Sequence, residues 1–455
     1  MNCVRRFALL FAAAAILIQS PPTSAQIITH ERTPAGLAFR HVHMPEEHAQ
    51  ALYFAWKDTT AGSMAGKEAL PTLATALILE GPRGMSRSAM IEDLRDLRAT
   101  VNLGATVDVT QGHLIAPPEK FADVGRLLAR TLAEPALSTD RLADIAKSRA
   151  VSSRQAEGNP ESQAQRLLAR LMIGEGSYRS YATTAPAIFE RVTMDDIVRW
   201  RKDVLVREGI IVVAAGPLGA TEIARTVDRL FADLPQAGKL PPPAKPILQA
   251  PGKLVVLERP VVQTIIAAGG PMALAVTPDL ARTQLAVAAL GGNPSARLWK
   301  AVRERLGAAY GVSTSLQPVD LETRTLVIRT AVANEKAKGA LAAIREEYAR
   351  LIAEGVTDEE LEALKRLFVT SHRDRLRRAP SVAANVLTQV LHHFPDEYLA
   401  SYEGRVGRYD RTAVNTDMRA TFPKQPLTAV AVAPSADGFA ADCVIRSPDE
   451  LARCD

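Results

Sequence analysis

Cysteine is scarce: Cys3, Cys443 and Cys454 are the only three in 455 residues. Zinc bound by thiolates needs more ligands than two or three scattered cysteines offer. An excess of one charge is also lacking. The formal net charge is +5, with no block of basic residues, so nothing points to nucleic acid. Long apolar runs are missing too, since no stretch beyond the N-terminus is long and apolar enough to span a membrane. What remains is 47% hydrophobic and 23% charged, the balance of an ordinary globular protein. At this length one core is not enough, and two or more domains are expected.

The N-terminus is the exception. Arg5 and Arg6 make it basic, Phe7 to Ile18 is an apolar run too short to cross a bilayer, and Thr23-Ser24-Ala25 offers small residues before Gln26. This is the pattern of a signal peptide over residues 1–25, with a retained anchor as the alternative. Its removal takes away Arg5 and Arg6 and no acid, so the net charge falls from +5 to +3. Cys3 leaves with it. Cys443 and Cys454 lie close together near the C-terminus, and an exported chain could join them and tie down a tail.

Along the chain, period-2 and period-3.6 patterns alternate. Strands are expected at Leu37 to His41, Ala51 to Trp56 and Ile210 to Ala215. Helices are expected at Ala69 to Leu79, from Ser86 with that serine as N-cap, and at Met194 to Val204. Gln236 to Lys253, with Pro241-Pro242-Pro243 and Pro246, reads as a stiff linker. Beyond it the order repeats. Pro118-Glu119-Lys120 matches Asn334-Glu335-Lys336, Ser138-Thr139-Asp140 matches Val356-Thr357-Asp358, and Thr193 matches Thr412, at offsets of 216, 218 and 219. The faces agree as well, Val124 and Leu127 corresponding to Leu341 and Ile344. A near-constant offset over separated segments implies two copies of one α+β domain. Each copy would run strands, then helices, then a last strand and helix. The expected division is a signal at 1–25, a domain at 26–235, a linker at 236–253 and a second domain at 254–455.

In the second copy, Leu298 to Leu316 reads as a short amphipathic helix, a glycine cap at Gly307, and a strand. Leu298, Val302 and Leu306 form one stripe, and Tyr310, Val312 and Thr314 alternate. Arg303 and Tyr310 then straddle a helix-to-strand corner and could face one cleft. The plainer alternative is a solvated arginine and a half-buried tyrosine. Among other candidates, His41 and His43 would share a strand face, with Glu46, Glu47 and His48 close behind. Those are suitable metal-ligand types, though a polar strand edge explains them as well. His392 and His393 read as a helix end, and Ser152-Ser153 has no neighbouring histidine to make it a nucleophile.

Two halves, the Pro-rich linker, and Leu-x-x-x-Val-Arg-Glu-x-x-Gly-x-Ala-Tyr over residues 298–310 resemble the insulinase/pitrilysin family of zinc metallopeptidases. Gly36-Leu37, Glu157-Gly158-Asn159-Pro160, Thr193-Met194-Asp195-Asp196-Ile197 and Ile211 to Gly216 add to the resemblance, which covers nearly the whole chain after the signal. It implies two α/β-roll domains, each an antiparallel-rich sheet packed with helices. In active members the first-half helix carries His-x-x-Glu-His, two zinc ligands and a base on one face, and a later Glu is the third ligand. The equivalent positions here are Thr72, Thr75, Ala76 and, counting back from Pro160, Ser152. None can supply that chemistry, and none of the eight histidines (30, 41, 43, 48, 113, 372, 392 and 393) stands in such a motif. Glu80, one turn past Ala76, is a lone carboxylate.

The resemblance therefore implies a non-catalytic subunit of a periplasmic heterodimeric zinc peptidase. No cofactor is expected in this chain, and zinc is expected in a partner bearing His-x-x-Glu-His. Arg303 would hold a substrate peptide, and Tyr310 would support the oxyanion in the partner's site. A scaffold without a proteolytic role, or a peptide-binding clamp acting alone, is the alternative of another class.

Overall fold

A computed structural model describes residues 27–60, 64–424 and 426–454. The expected signal segment, with Cys3, lies outside them. The first half opens with β1 (Ile28–Arg32), β2 (Ala38–His43) and β3 (Gln50–Lys57). Helices α1 (Leu70–Ile78) and α2 (Arg87–Asp96) lead to the hairpin of β4 (Thr100–Ala105) and β5 (Val109–Ala116). Then come α3 (Phe121–Ala133), α4 (Thr139–Gly158), α5 (Pro160–Met172), α6 (Ser177–Thr183), α7 (Ala187–Glu190) and α8 (Met194–Val204). Strand β6 (Ile211–Gly216) and α9 (Ala220–Phe231) end this half.

The second half starts with β7 (Leu254–Glu258), β8 (Gln263–Pro271) and α10 (Leu280–Leu290). A π-helical segment, Trp299–Arg305, precedes β9 (Ala309–Pro318) and β10 (Arg324–Ala333). Helices α11 (Ala337–Glu354), α12 (Asp358–Arg375), α13 (Ala379–Leu391), α14 (Tyr402–Arg408) and α15 (Arg411–Thr421) follow, then β11 (Thr428–Ala433) and β12 (Cys443–Ile445).

Helix starts are set locally. The side chain of Ser86 accepts the Ala89 N–H at 3.2 Å, as its N-cap position predicts. Thr193 with Asp196, and Thr357 with Glu360, close reciprocal capping boxes at the starts of α8 and α12. One expectation fails here. Thr412 is not the counterpart of Thr193; it sits inside α15, whose cap is Asp410.

Each half builds a six-stranded mixed sheet, ordered β1-β2-β6-β3-β5-β4 and β12-β7-β11-β8-β10-β9. The strands without polar side chains to expose are central: Ile211 to Gly216 lies between β2 and β3, and Thr428 to Ala433 between β7 and β8. On one face of each sheet the half packs its own helices. Val124, Leu128 and Ile197 fill the first core, and Leu341, Ile344 and Val414 the second. Residues 236–253 hold no helix or strand, only a bridge between Leu248 and Ile173.

The other face is covered by exchange. Helix α5 belongs to the first half by sequence, yet its Ala164, Leu167, Leu168, Leu171 and Met172 pack on Val255, Ala267, Val430 and Val432 of the second sheet. Helix α13 returns the arrangement, with Val382, Ala383, Val386 and Leu387 against Val42, Ala51, Val213 and Ala215. Both helices carry an i, i+3, i+4 apolar stripe, and burying each large side chain contributes about 1.5–3 kcal/mol.

The halves do not end alike. The expected last helix exists only in the first, as α9 packed on α3. In the second, β12 pairs parallel to β7, and a 3₁₀ segment, Pro448–Cys454, folds under α5. Cys443 and Cys454 are joined, Cα atoms 5.6 Å apart, which fastens that segment.

Candidate functional site

Helix α1 is nine residues long, opened by Pro71, and buried on most sides. Thr72, Thr75, Ala76 and Leu79 turn one side of it to an open cavity of about 920 Å³. The opposite walls are the edge strand β4 from Val101 to Ala105, Met90, Ile91 and Leu94 of α2, and Arg141, Asp144, Ile145, Ser148 and Arg149 of α4. Three of the positions assigned to zinc chemistry therefore do share one cavity. Ser152 lies one turn beyond Ser148 and Arg149 on the same face of α4, with its hydroxyl donating to the Ser148 carbonyl at 3.0 Å.

These residues do not fit a metal. The Thr75 hydroxyl is spent on the Pro71 carbonyl at 2.9 Å, and Ala76 has no donor atom. Glu80, buried at 4% exposure, is held by Arg87 and by Arg141, whose Nε lies 2.8 Å from its Oε2. Burial pushes the Glu80 carboxyl up, but the hydrogen bonds from Arg141 and Arg87 outweigh it and keep it below the ordinary carboxylate range. An arginine pair thus stands beside the place where a metal would need anionic ligands. Sequence reasoning left Glu80 alone; its two arginines, 7 and 61 residues further along, could not be assigned to it without the fold.

A second cavity, of about 680 Å³, repeats the first. Gln284, Val287 and Ala288 of α10, with Gly291 at its C-cap, line it 212 positions after Thr72, Thr75, Ala76 and Leu79. Leu367, Phe368 and Ser371 of α12 line it 219 positions after Ser148, Arg149 and Ser152. His392 also lines it, and burial, with Arg324, Lys57 and His393 adding, lowers that imidazole to about 4.

The Arg303 and Tyr310 corner differs from expectation in both elements. The turn after Leu298 closes five residues back, the Leu306 N–H donating to the Ala301 carbonyl at 3.2 Å, so it is π-helical and not an amphipathic α-helix. Leu298 and Val302 are buried, but Leu306 is swung out to 37% exposure and leaves the stripe. Gly307 does adopt the left-handed cap at φ 55°, and Lys336 takes the carbonyls of Leu306 and Gly307 at 3.0 Å each.

On β9 the even alternation breaks. Thr330 pairs with Val312 and Val332 with Ala309, so Tyr310 and Gly311 together oppose Ala331. That bulge re-aims the tyrosine. Val312 is buried at 4% while Tyr310 stands 86% exposed, where a half-buried aromatic was the plainer reading. Arg303 is exposed, with its guanidinium 4.2 Å over the Trp299 ring. The same ring lies 3.5 Å from where a Cβ on Gly311 would stand, so Trp299 links the arginine's turn to the tyrosine's strand. Trp299 was missed in the sequence; its i, i+4 spacing from Arg303 was the available signal.

The histidines form no site. His41 is buried, its Nε2 3.0 Å from the Leu218 carbonyl, while His43 is exposed with ring centroids 6.0 Å apart. Burial lowers the His41 pKa, against the pull of that hydrogen bond. His372 is buried with its Nε2 3.0 Å from the Leu399 carbonyl. Among the described residues no group of three or more His, Cys, Asp or Glu side chains could hold a metal ion.

Comparison with known proteins finds the same fold elsewhere. Residues 191–368 match the family described as "Peptidase M16 inactive domain". An "Uncharacterized zinc protease" of Rickettsia bellii is 30% identical over 179 residues, 39% of this chain and 41% of that one, so the match spans less than half of the relative. A peptidase M16 inactive domain from Pseudomonas fluorescens superposes with TM-score 0.82 at 19% identity, covering 90% of this chain and 98% of that one. The periplasmic protease PqqL from Escherichia coli superposes with TM-score 0.74 at 12% identity, covering 95% of this chain and 49% of that one. Residues 191–368 thus resemble the M16 inactive domain and the fold is that of M16-like proteins, while the positions that the resemblance assigns to zinc chemistry hold Thr72, Thr75 and Ala76.

Proposed function

We propose that this chain is the non-catalytic subunit of an exported two-chain peptidase whose partner bears His-x-x-Glu-His. The observation that carries the reading is the α1 cavity, lined by Thr72, Thr75 and Ala76, at the positions the resemblance gives to ligands and base, with Glu80 committed to two arginines. A chain so built needs a second one to supply metal and base. The alignment with PqqL supports this, because it fills 95% of this chain and only 49% of that one, leaving about one more such chain within a single polypeptide.

Arg303 and Tyr310 are this chain's contribution. Stacked on Trp299, the guanidinium keeps its forked donors outward for a peptide carbonyl or carboxylate. The Tyr310 hydroxyl, free of any partner among the described residues, donates to the oxyanion that develops in the partner's site, a charge present only in the transition state. The proposed export is supported by the signal pattern at 1–25, by the Cys443–Cys454 bridge, which favours an oxidising compartment, and by the likeness to PqqL, a periplasmic protease.

The test is reconstitution with a chain of similar length that carries His-x-x-Glu-His. Tyr310→Phe should lower turnover of a quenched fluorescent peptide by about 10²–10³-fold, and Arg303→Ala should raise KM, while size-exclusion chromatography still shows the complex. Full turnover by both variants would overturn the assignment.

A further inference from the structure

Beside the exchanged helix lies a cavity that neither the vacant zinc positions nor the arginine–tyrosine corner uses. Helix α5 covers β8 and β11 of the second sheet, and between it and the outer strands β9 and β10 a space of about 310 Å³ stays open. Leu168, Met172, Val319 and Val327 line it, with Tyr178 beside them, all more than nine-tenths buried. A neighbouring space of the same size shares Gln165 and Arg329 with it.

Along β10, Thr325, Val327 and Arg329 alternate onto this face while Leu326 and Ile328 enter the core. Arg329 is half-buried, and its guanidinium has no hydrogen bond, ion pair or ring partner among the described residues. Arg166, the other cation on the lining, is occupied by Ser153 at 3.3 Å and Glu157 at 3.6 Å. Glu161, on the second space, is exposed and makes no ion pair with Arg329.

A guanidinium drawn partly out of water wants an anionic acceptor, and the apolar walls next to it want an apolar body. We propose that this cavity binds small monocarboxylic acids with an aliphatic or aryl body, the carboxylate on Arg329 and the body between α5 and the β9–β10 hairpin. Leu168 and Tyr178 come from the first half and Val319 and Arg329 from the second, so the ligand is gripped by both.

Octanoate and its neutral analogue octan-1-ol, titrated calorimetrically into the full chain, test this. Octanoate should bind saturably at one site, and octan-1-ol at least ~10-fold more weakly, since a charge-assisted hydrogen bond is worth that much or more. Arg329→Gln should weaken octanoate by ~10- to 100-fold and leave octan-1-ol unchanged. Ala169→Trp, which fills the cavity, should abolish both with the circular dichroism spectrum intact. No saturable octanoate binding at millimolar concentration, equal affinity for the alcohol, or indifference to Arg329→Gln would each overturn the proposal. Should the tryptophan variant misfold, the Arg329→Gln comparison still decides, because that side chain makes no contact the fold depends on.

Discussion

The two halves are built on one plan and differ at their rims. Strands β2 to β6 and β7 to β11 take the same places in their sheets, and α1 and α10 turn equivalent faces to equivalent cavities. At the outer edge the first half adds β1, antiparallel to β2, where the second adds β12, parallel to β7 and fastened by a disulfide. At the other edge both strands are open, but only β9 carries a bulge. The lesson is that the cores repeat because burial constrains them, while edges and cavity linings are free to diverge. The residues singled out above sit on those divergent parts: the arginines over Glu80 in one half, and Trp299, Arg303 and Tyr310, the proposed contact residues, in the other.

The likeness is sharpest in the exchanged helices, and breaking them should cost most. Leu167→Ala in α5 and Leu387→Ala in α13 each remove a buried leucine, at about 2–5 kcal/mol. Because each helix serves the sheet of the opposite half, both variants should melt in one lowered transition, followed by calorimetry. A separate early transition of one half would show the halves to be independent.

The disulfide belongs to the second half alone. For a separation of 11 residues, the chain-entropy relation gives about 2–3 kcal/mol for losing Cys443–Cys454. Cys443→Ser with Cys454→Ser should lower the urea midpoint and speed proteolysis near β12, with hydrogen exchange in β1 and β2 unchanged.

The smallest effect is expected where the hairpin tips of the halves meet. The Asp108 carboxylate accepts the Leu321 N–H at 2.8 Å and the Tyr178 hydroxyl at 3.0 Å. Burial raises its pKa to about 6, with the two hydrogen bonds opposing and Asp320 and Asp58 adding to the rise. A carboxyl with a higher pKa folded than unfolded holds its proton more tightly in the fold. Its contribution is therefore fully present below the unfolded value near 3.8 and is lost as pH climbs through about 6. Melting temperatures across pH 4 to 7 should show this fall, and Asp108→Asn should flatten it; an unchanged slope would place the titration elsewhere.

Much of this was legible locally. Ser86 and Thr193 announce helix starts by their own side chains, and Gly307 sits where a left-handed residue is needed. Val124, Leu127, Leu341 and Ile344 are all buried, as their matched faces implied. That Thr72, Thr75 and Ala76 cannot serve as zinc ligands or base could be read because zinc chemistry admits few residue types. What escaped was non-local. The bulge that frees Tyr310 depends on how β9 registers with β10, and the π-turn that expels Leu306 depends on the packing of Leu298 and Val302.

By itself, then, the sequence determined the repeat, the fold class and the absence of a zinc-binding motif, because periodicity, caps and ligand types are properties of short stretches. Only the tertiary structure decided which sheet α5 and α13 cover, what holds Glu80, and where Arg303, Tyr310 and Arg329 present their polar ends. Those outcomes turn on contacts between residues tens to hundreds of positions apart, for which an apolar stripe or a lone charge carries no address.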